Sequence, residues 1–515
     1  MIRAIVFRIL FLAAAGASLP TLAASDPVLG YADARHLLAR TGFGPTEGEV
    51  RAYAPLTRAE AVAKLLRETR TTAVTAPPVS ALDKSPLRPP RGEIFSEADR
   101  KAFQQRQLRE ALELRAWWVQ EMLATPSPLT ERMTLFWHNH FVSAQPKVRI
   151  ARLMYRQNVT LREYAVGNFG AFLHAIARDP AMVLYLDSVQ NRKGAPNENF
   201  AREAMELFTL GEGRYSEQDV KEAARAFTGW SLERETGVFV FRPRLHDDGT
   251  KVVLGKSGPL DGDDVLDTLL GRAETAEFLT AKLWREFVSP DLDKTEITRI
   301  ARRFRESGYD IKVALRELLT SDVFYAPENR GVLVKSPMEL VVGTLRQLDI
   351  NPATTLPFAV TAAGMGQNLM APPNVKGWPG GETWINTTTL LARKQYLDRV
   401  TRAGDVEMPA MATGARKSVF VESDSQNRAL SPRDVADDDN ARRQRFLRRT
   451  ERALASLDFD SARWIAQFPG ANAAERGRAA QQLLLATAPQ QPPDFDDDSR
   501  TLVHAIVLDA AYQLK

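Results

Sequence analysis

The chain has 515 residues, 44% hydrophobic and 26% charged, with 30 glycines, 30 prolines and no cysteine. Such a composition belongs to an ordinary globular protein of one large domain or a few smaller ones, and it excludes disulfides, thiolate metal sites and cysteine nucleophiles. A formal charge of +4 is too balanced to argue for nucleic acid, and no Lys/Arg stripe interleaved with aromatics appears.

Residues 1–24, "MIRAIVFRILFLAAAGASLPTLAA", begin basic, turn apolar and end in small residues. This is the pattern of a secretory signal peptide, with cleavage expected after Ala23 or Ala24. Loss of Arg3 and Arg8 would lower the formal charge by two. No other stretch approaches the roughly 20 apolar residues of a membrane span, so the mature protein is expected to be periplasmic or secreted, with no stable span.

A helical main domain is expected over 25–403. The stretch 33–44 is an amphipathic helix stopped by Gly42 and Gly44, with Thr46 placed to cap the next one. Residues 71–96 are rich in proline and read as a long surface excursion. Helical periodicity then covers 97–123 and 127–143, and fits 150–178, 197–210, 216–230, 274–288, 293–306, 309–321, 336–348 and 387–401. The exception is "GVFVFRPRLHDDGTKVVLG" (237–255), which predicts a small β-hairpin turning at Asp-Asp-Gly-Thr, with Pro243 at an edge. Residues 404–440 are poor in large apolar groups and read as a flexible insert. The basic run "RRQRFLRRTER" (442–452) beside the acidic "DVADDDN" (434–440) reads as a solvated face. Residues 441–515 return to helices expected to pack on the main domain. The fold class is mainly α: one large multi-helix domain with a small β-hairpin near 237–255.

Chemistry concentrates in four places. In "NENFAREAMELFTLGEG" (197–213), a regular helix puts Asn199, Glu203 and Glu206 on one face and Phe200, Ala204, Leu207 and Phe208 on the other. Two carboxylates one turn apart repel unless a metal ion, a shared proton, Arg202 or Arg225 compensates them. An architectural network of arginines carries equal weight. In "LFWHNHFVS" (135–143), His138 and His140 are two apart, hence about 200° apart around a helix, so a regular helix aims only one of them at a given ion. His246 lies beside Asp247 and Asp248 and suits a metal ligand, a general base or plain turn chemistry. The loop "APPNVKGWPGGETWIN" (371–386) offers Asn374, Trp378, Trp384 and Asn386, a surface for a sugar or peptide, or else a packed plug. His36, His174 and His504 sit in ordinary helical patterns.

Five blocks occur in one order: "HLLARTGFGPT" (36–46), "ERMTLFWHNHFVS" (131–143), "NENFAREAMELFTLGEGRYSEQDVKEAARAFTGW" (197–230), "HDDGTKVVLG" (246–255) and "PPNVKGWPGGETW" (372–384). Together they resemble the bacterial family called domain of unknown function 1800. The resemblance implies a large, mostly helical, exported protein. It also implies a possible exported partner of the domain of unknown function 1501 family, which resembles phosphatases and sulfatases. It implies no reaction, although its blocks contain His138, His140, Glu203, Glu206 and His246.

These observations support a leading expectation and two rivals. The leading one is a buried His/Glu centre holding a divalent metal, zinc, iron or manganese, for hydrolysis or oxidation. Glu203, Glu206 and His246, with His138 or His140, are the expected ligands. The first rival is a non-catalytic scaffold or export-assembly factor, in which the same residues form an ion-pair network. The second is a carbohydrate-binding protein using Trp378 and Trp384.

Overall fold

The computed structural model describes residues 27–83, 85, 87, 96–402, 452–454 and 456–515. The expected signal peptide and the 404–440 insert lie outside the described residues. The described chain is mainly α-helical, with two small antiparallel hairpins. None of the described helices is long and apolar enough to cross a membrane.

Local chemistry sets many of the helix starts. Thr46 with Glu49, Ser96 with Asp99, Ser216 with Asp219 and Ser336 with Glu339 each form a reciprocal capping box. In such a box the hydroxyl and the carboxylate satisfy backbone N–H groups that a helix start leaves unpaired. The expected 150–178 helix is broken into Ala151–Glu163 and Phe169–Ala177. Asn168 causes the restart, its Oδ1 accepting from the Ala171 N–H at 2.9 Å. The core then closes around the buried Pro128–His140 helix, which packs on Glu97–Ala124 and Ala151–Glu163.

The expected 197–210 helix departs from regularity. It is α-helical over Asn199–Glu203 and widens to a π-helix over Ala204–Thr209. The Thr209 hydroxyl donates to the Ala204 carbonyl at 2.6 Å, and the Leu210 N–H reaches back five residues to the Met205 carbonyl at 2.8 Å. Gly211, at φ 87°, ends the run. Its pro-Cβ position lies 3.0 Å from Phe278, so a side chain there would be strained in both backbone and space.

The β structure near 237–255 is present, but with a different pairing. β1 (Trp230–Leu232) pairs with β2 (Phe239–Phe241), and β3 (Lys251–Val253) pairs with β4 (Lys256–Gly258). The Asp-Asp-Gly-Thr segment is therefore a connection between hairpins instead of a hairpin turn. Asp247 is drawn onto Arg225, whose Nε donates at 2.8 Å, so the turn serves to dock β3 against the Glu217–Ala226 helix. The tight turn lies further on, at Leu254 and Gly255, both at positive φ as a two-residue hairpin loop requires.

The described C-terminal helices, Ser461–Ala466, Ala473–Leu484 and Ser499–Leu508, lie against the rest of the molecule. Trp464 Nε1 donates to the Gln347 carbonyl at 2.8 Å, and Arg35 Nε donates to the Leu483 carbonyl at 2.9 Å. The strand-like segment at Leu514 bridges to Val334 and carries Lys515 into the interior.

Candidate functional site

Glu203 and Glu206 are neighbours and half-buried, as the helical spacing implies. Neither Arg202 nor Arg225 pairs with them: Arg202 binds Glu198 and Glu217, while Arg225 binds Glu222 and Asp247. Glu206 instead accepts from the Tyr215 hydroxyl at 2.6 Å and has Lys376 Nζ at 3.8 Å. Burial and the charge of Glu206 push the Glu203 carboxyl up, against the pull of Lys376 and Arg202. Asn199 is exposed, its N–H turned onto the Asn197 side chain.

The three histidines diverge. His246 Nδ1 donates to the Thr228 carbonyl at 2.9 Å. His138 is fully buried with its ring edge-on to Trp118, and burial pulls its pKa down to about 3. His140, two residues on, faces the Phe208 carbonyl and Lys282. Among the described residues no group of three or more histidine, aspartate or glutamate side chains is arranged to hold a metal ion. His246, His138 and His140 face separate partners, while Glu203 and Glu206 stay side by side.

The 371–386 loop closes over a cavity. Asn139 holds it from below: Oδ1 accepts from the Trp378 N–H at 2.7 Å while Nδ2 donates to the Trp378 carbonyl at 3.1 Å. Gly377, at φ 81°, is required there, since a Cβ would fall 2.2 Å from Asn139 Oδ1. Asn374 is exposed and shapes the turn by accepting from the Lys376 N–H at 2.9 Å. Trp378 and Trp384 are only 4% and 7% exposed. Both line the cavity, whose volume is about 470 Å³.

The cavity is cationic. Arg132, Lys282, Arg285, Lys376 and Lys515 line it, against the carboxylates of Glu286 and Glu339. Arg132 spans Glu286 and Glu339, meeting the latter at 2.8 Å, and Lys515 also binds Glu339. Burial alone would raise the Glu339 carboxyl, but Arg132 and Lys515 overcome it and hold it at about 2. Buried Lys335, Arg40 and Arg393 also feel Glu339, so one carboxylate serves many cations. Lys282 and Arg285 have no ion-pair partner among the described residues.

Lys282 is the centre of this imbalance. Its Nζ lies 2.9 Å from His140 Nδ1 and 5.2 Å from the centre of the Phe278 ring. Burial, with the Arg285 charge beside it, lowers its pKa to about 8. The other imidazole nitrogen, Nε2, meets the Phe208 carbonyl at 3.2 Å. A carbonyl only accepts, so Nε2 carries the proton and Nδ1 is bare and accepts from Lys282. Phe208 can spare its carbonyl because its helix ends at the next residue, Thr209, and terminal carbonyls lack intrahelical partners. Burial, with Lys282 nearby, also holds the His140 imidazole neutral.

Sequence reasoning reached His140, Trp378 and Trp384 but missed Lys282, Arg285, Arg132, Glu339 and Lys515. Lys282 and Glu286 are four apart and read as an ordinary helix pair, whereas Glu286 turns to Arg132. The cationic cavity has no counterpart among the sequence-derived site residues except His140 and the two tryptophans. Comparison with curated proteins and with solved structures gave no match. A family model does match, over residues 36–514, and the chain belongs to that family, described as "Protein of unknown function (DUF1800)".

Proposed function

We propose that the protein binds a small organic anion in the cavity beneath the 371–386 loop, and that Lys282 with His140 is the centre of whatever is done to it. The observation that carries this reading is a half-buried lysine on the cavity wall, without a carboxylate partner among the described residues and hydrogen-bonded to a neutral imidazole. An uncompensated buried charge is costly, and an anion that enters removes the cost. Arg285 and Lys376 supply further charge, and Trp378 and Trp384 supply apolar walls for the body of the ligand. The tryptophans thus serve as the pocket's lining in this reading.

The metal-dependent reading has no group of three or more histidine, aspartate or glutamate ligands among the described residues to support it. Export by residues 1–24 is a further part of the proposal, so that the anion would be met in the periplasm or outside the cell. A partner of the domain of unknown function 1501 family belongs to the same proposal. Fractionation of cells expressing the full chain tests export. Co-purification with an exported member of that family tests partnership.

Melting the full chain in the presence of pyruvate, succinate, sulfate and phosphate at fixed ionic strength tests the binding itself. A ligand selective for the folded state stabilises it by about 2.7 kcal/mol at roughly a hundredfold excess over Kd. At least one of these anions should raise Tm in the native chain and leave Lys282→Met unmoved. Equal shifts in both proteins, or none in either, would overturn the reading.

A further inference from the structure

We propose that Lys282 is a nucleophile that forms an imine with a small oxo acid, an anion carrying a carbonyl group beside or near its carboxylate. The inference rests on the anion-binding reading and deepens it by naming the substrate class.

Three features point this way. A lysine is a poor nucleophile until it is neutral, and it becomes neutral near physiological pH when it is desolvated beside another cation. Lys282 sits half-buried on the cavity wall between Phe278 and His140, with Arg285 lining the same cavity. The neighbouring cations paired to Glu339 or Glu286 are committed to architecture, whereas Lys282 makes no such pair among the described residues. Its polar partner among the described residues, His140 Nδ1, is an acceptor fixed in that role by the Phe208 carbonyl on the other side of the ring.

That acceptor suits the whole reaction. The ammonium of Lys282 gives one proton to water in the cavity and becomes an amine, keeping one N–H on Nδ1. Its lone pair then forms a C–N bond with the carbonyl carbon, and the carbonyl π pair moves to oxygen, which takes up a proton. The carbinolamine loses water and leaves a protonated imine, whose single N–H still donates to Nδ1. Lysine ammonium plus ketone gives iminium plus water, with charge and protons conserved and no oxidant or reductant needed. Arg285 and Lys376, lining the same cavity, are the groups that would hold the carboxylate while this happens. The cavity's roughly 470 Å³ takes a molecule of a few carbons with water beside it.

Reductive trapping tests the inference. The full chain is incubated with pyruvate and cyanoborohydride, which reduces an imine to a stable amine. The adduct is then located by intact mass and peptide mapping. One adduct per chain on Lys282 is expected, suppressed by excess succinate, which carries the charge without the carbonyl. Lys282→Arg should keep anion binding in calorimetry and lose the adduct. His140→Gln, which removes the fixed acceptor, should slow trapping several-fold.

An adduct spread over surface lysines with no preference for Lys282 would overturn the inference. So would absence of adduct while calorimetry records pyruvate bound, and in that case anion binding would survive. Failure of every tested anion to bind would remove both.

Discussion

The helix Pro128–His140 carries a buried charge site near each end, and the two are built differently. At its start, Glu131 accepts from Arg162 Nε at 2.5 Å, from Arg162 Nη2 at 2.9 Å and from Trp118 Nε1 at 2.8 Å. Both carboxylate oxygens and the guanidinium edge are used, and the pair is 1% exposed on each side. At its end, His140 meets a lysine whose charge has no carboxylate opposite it among the described residues. A fully partnered charge pair is self-sufficient, and its removal harms only the fold. An unpartnered cation on a cavity wall calls for a ligand, and its removal should harm only binding.

The largest expected effect falls on the partnered end. Glu131→Gln leaves Arg162 buried without its counter-charge, and breaking such a pair costs about 3–5 kcal/mol. Urea unfolding should record a loss of that order, with any residual anion binding unchanged in affinity in the folded fraction. At the other end, Lys282→Met should leave the ligand-free protein as stable as before or more so, because it removes a half-buried cation with no carboxylate opposite it among the described residues. The same variant should lose the anion-induced rise in Tm. If Lys282→Met unfolds the protein as Glu131→Gln does, the contrast between the two ends fails.

A smaller effect belongs to the clamp between helix and loop. Asn139→Ala leaves the Trp378 N–H and carbonyl without their partner, a penalty of about 1–3 kcal/mol for a buried group. Because the loop covers the cavity, anion affinity should fall along with Tm. A drop in Tm with affinity intact would separate the loop from the site.

The subtlest test uses pH. The folded-state pKa of Lys282 is lowered to about 8, and burial lowers that of Lys515 to about 8 as well. Unfolded lysine titrates near 10.4. Between these values the unfolded chain binds more protons, so stability rises with pH. The penalty is fully present below about pH 8 and is relieved as pH climbs toward the unfolded value. Denaturation from pH 7.5 to 10 should therefore show a gain in stability, reduced in Lys282→Met. Anion affinity should decline over the same range as Lys282 loses its charge.

Helix existence was legible because periodicity and caps are local. Residues 274–288, expected as a helix, are one over Ala273–Phe287, and 387–401 agree with Thr387–Thr401. The π-turn was not, since nothing in "AMELFT" departs from ordinary helix composition; its effect, delivering the Phe208 carbonyl to His140, is a matter of tertiary geometry. The hairpins were misregistered because Asp-Asp-Gly-Thr carries a stronger turn signal than Leu254–Gly255, and Arg225 from a separate helix decided the matter. For the cavity, the conspicuous residues were only part of the signal. Glutamates and histidines stood out against apolar runs, whereas Lys282 looked like any helix lysine. Its character comes from Glu286 turning toward Arg132 and from His140 arriving from 142 residues away.

Calorimetric titration of pyruvate into the full chain and into Lys282→Met at pH 7 bears most directly on the claim that a lone cation makes this cavity an anion site. Saturable binding with one ligand per chain is expected in the native protein and none in the variant. Identical heats from the two proteins, or no heat from either, would contradict it.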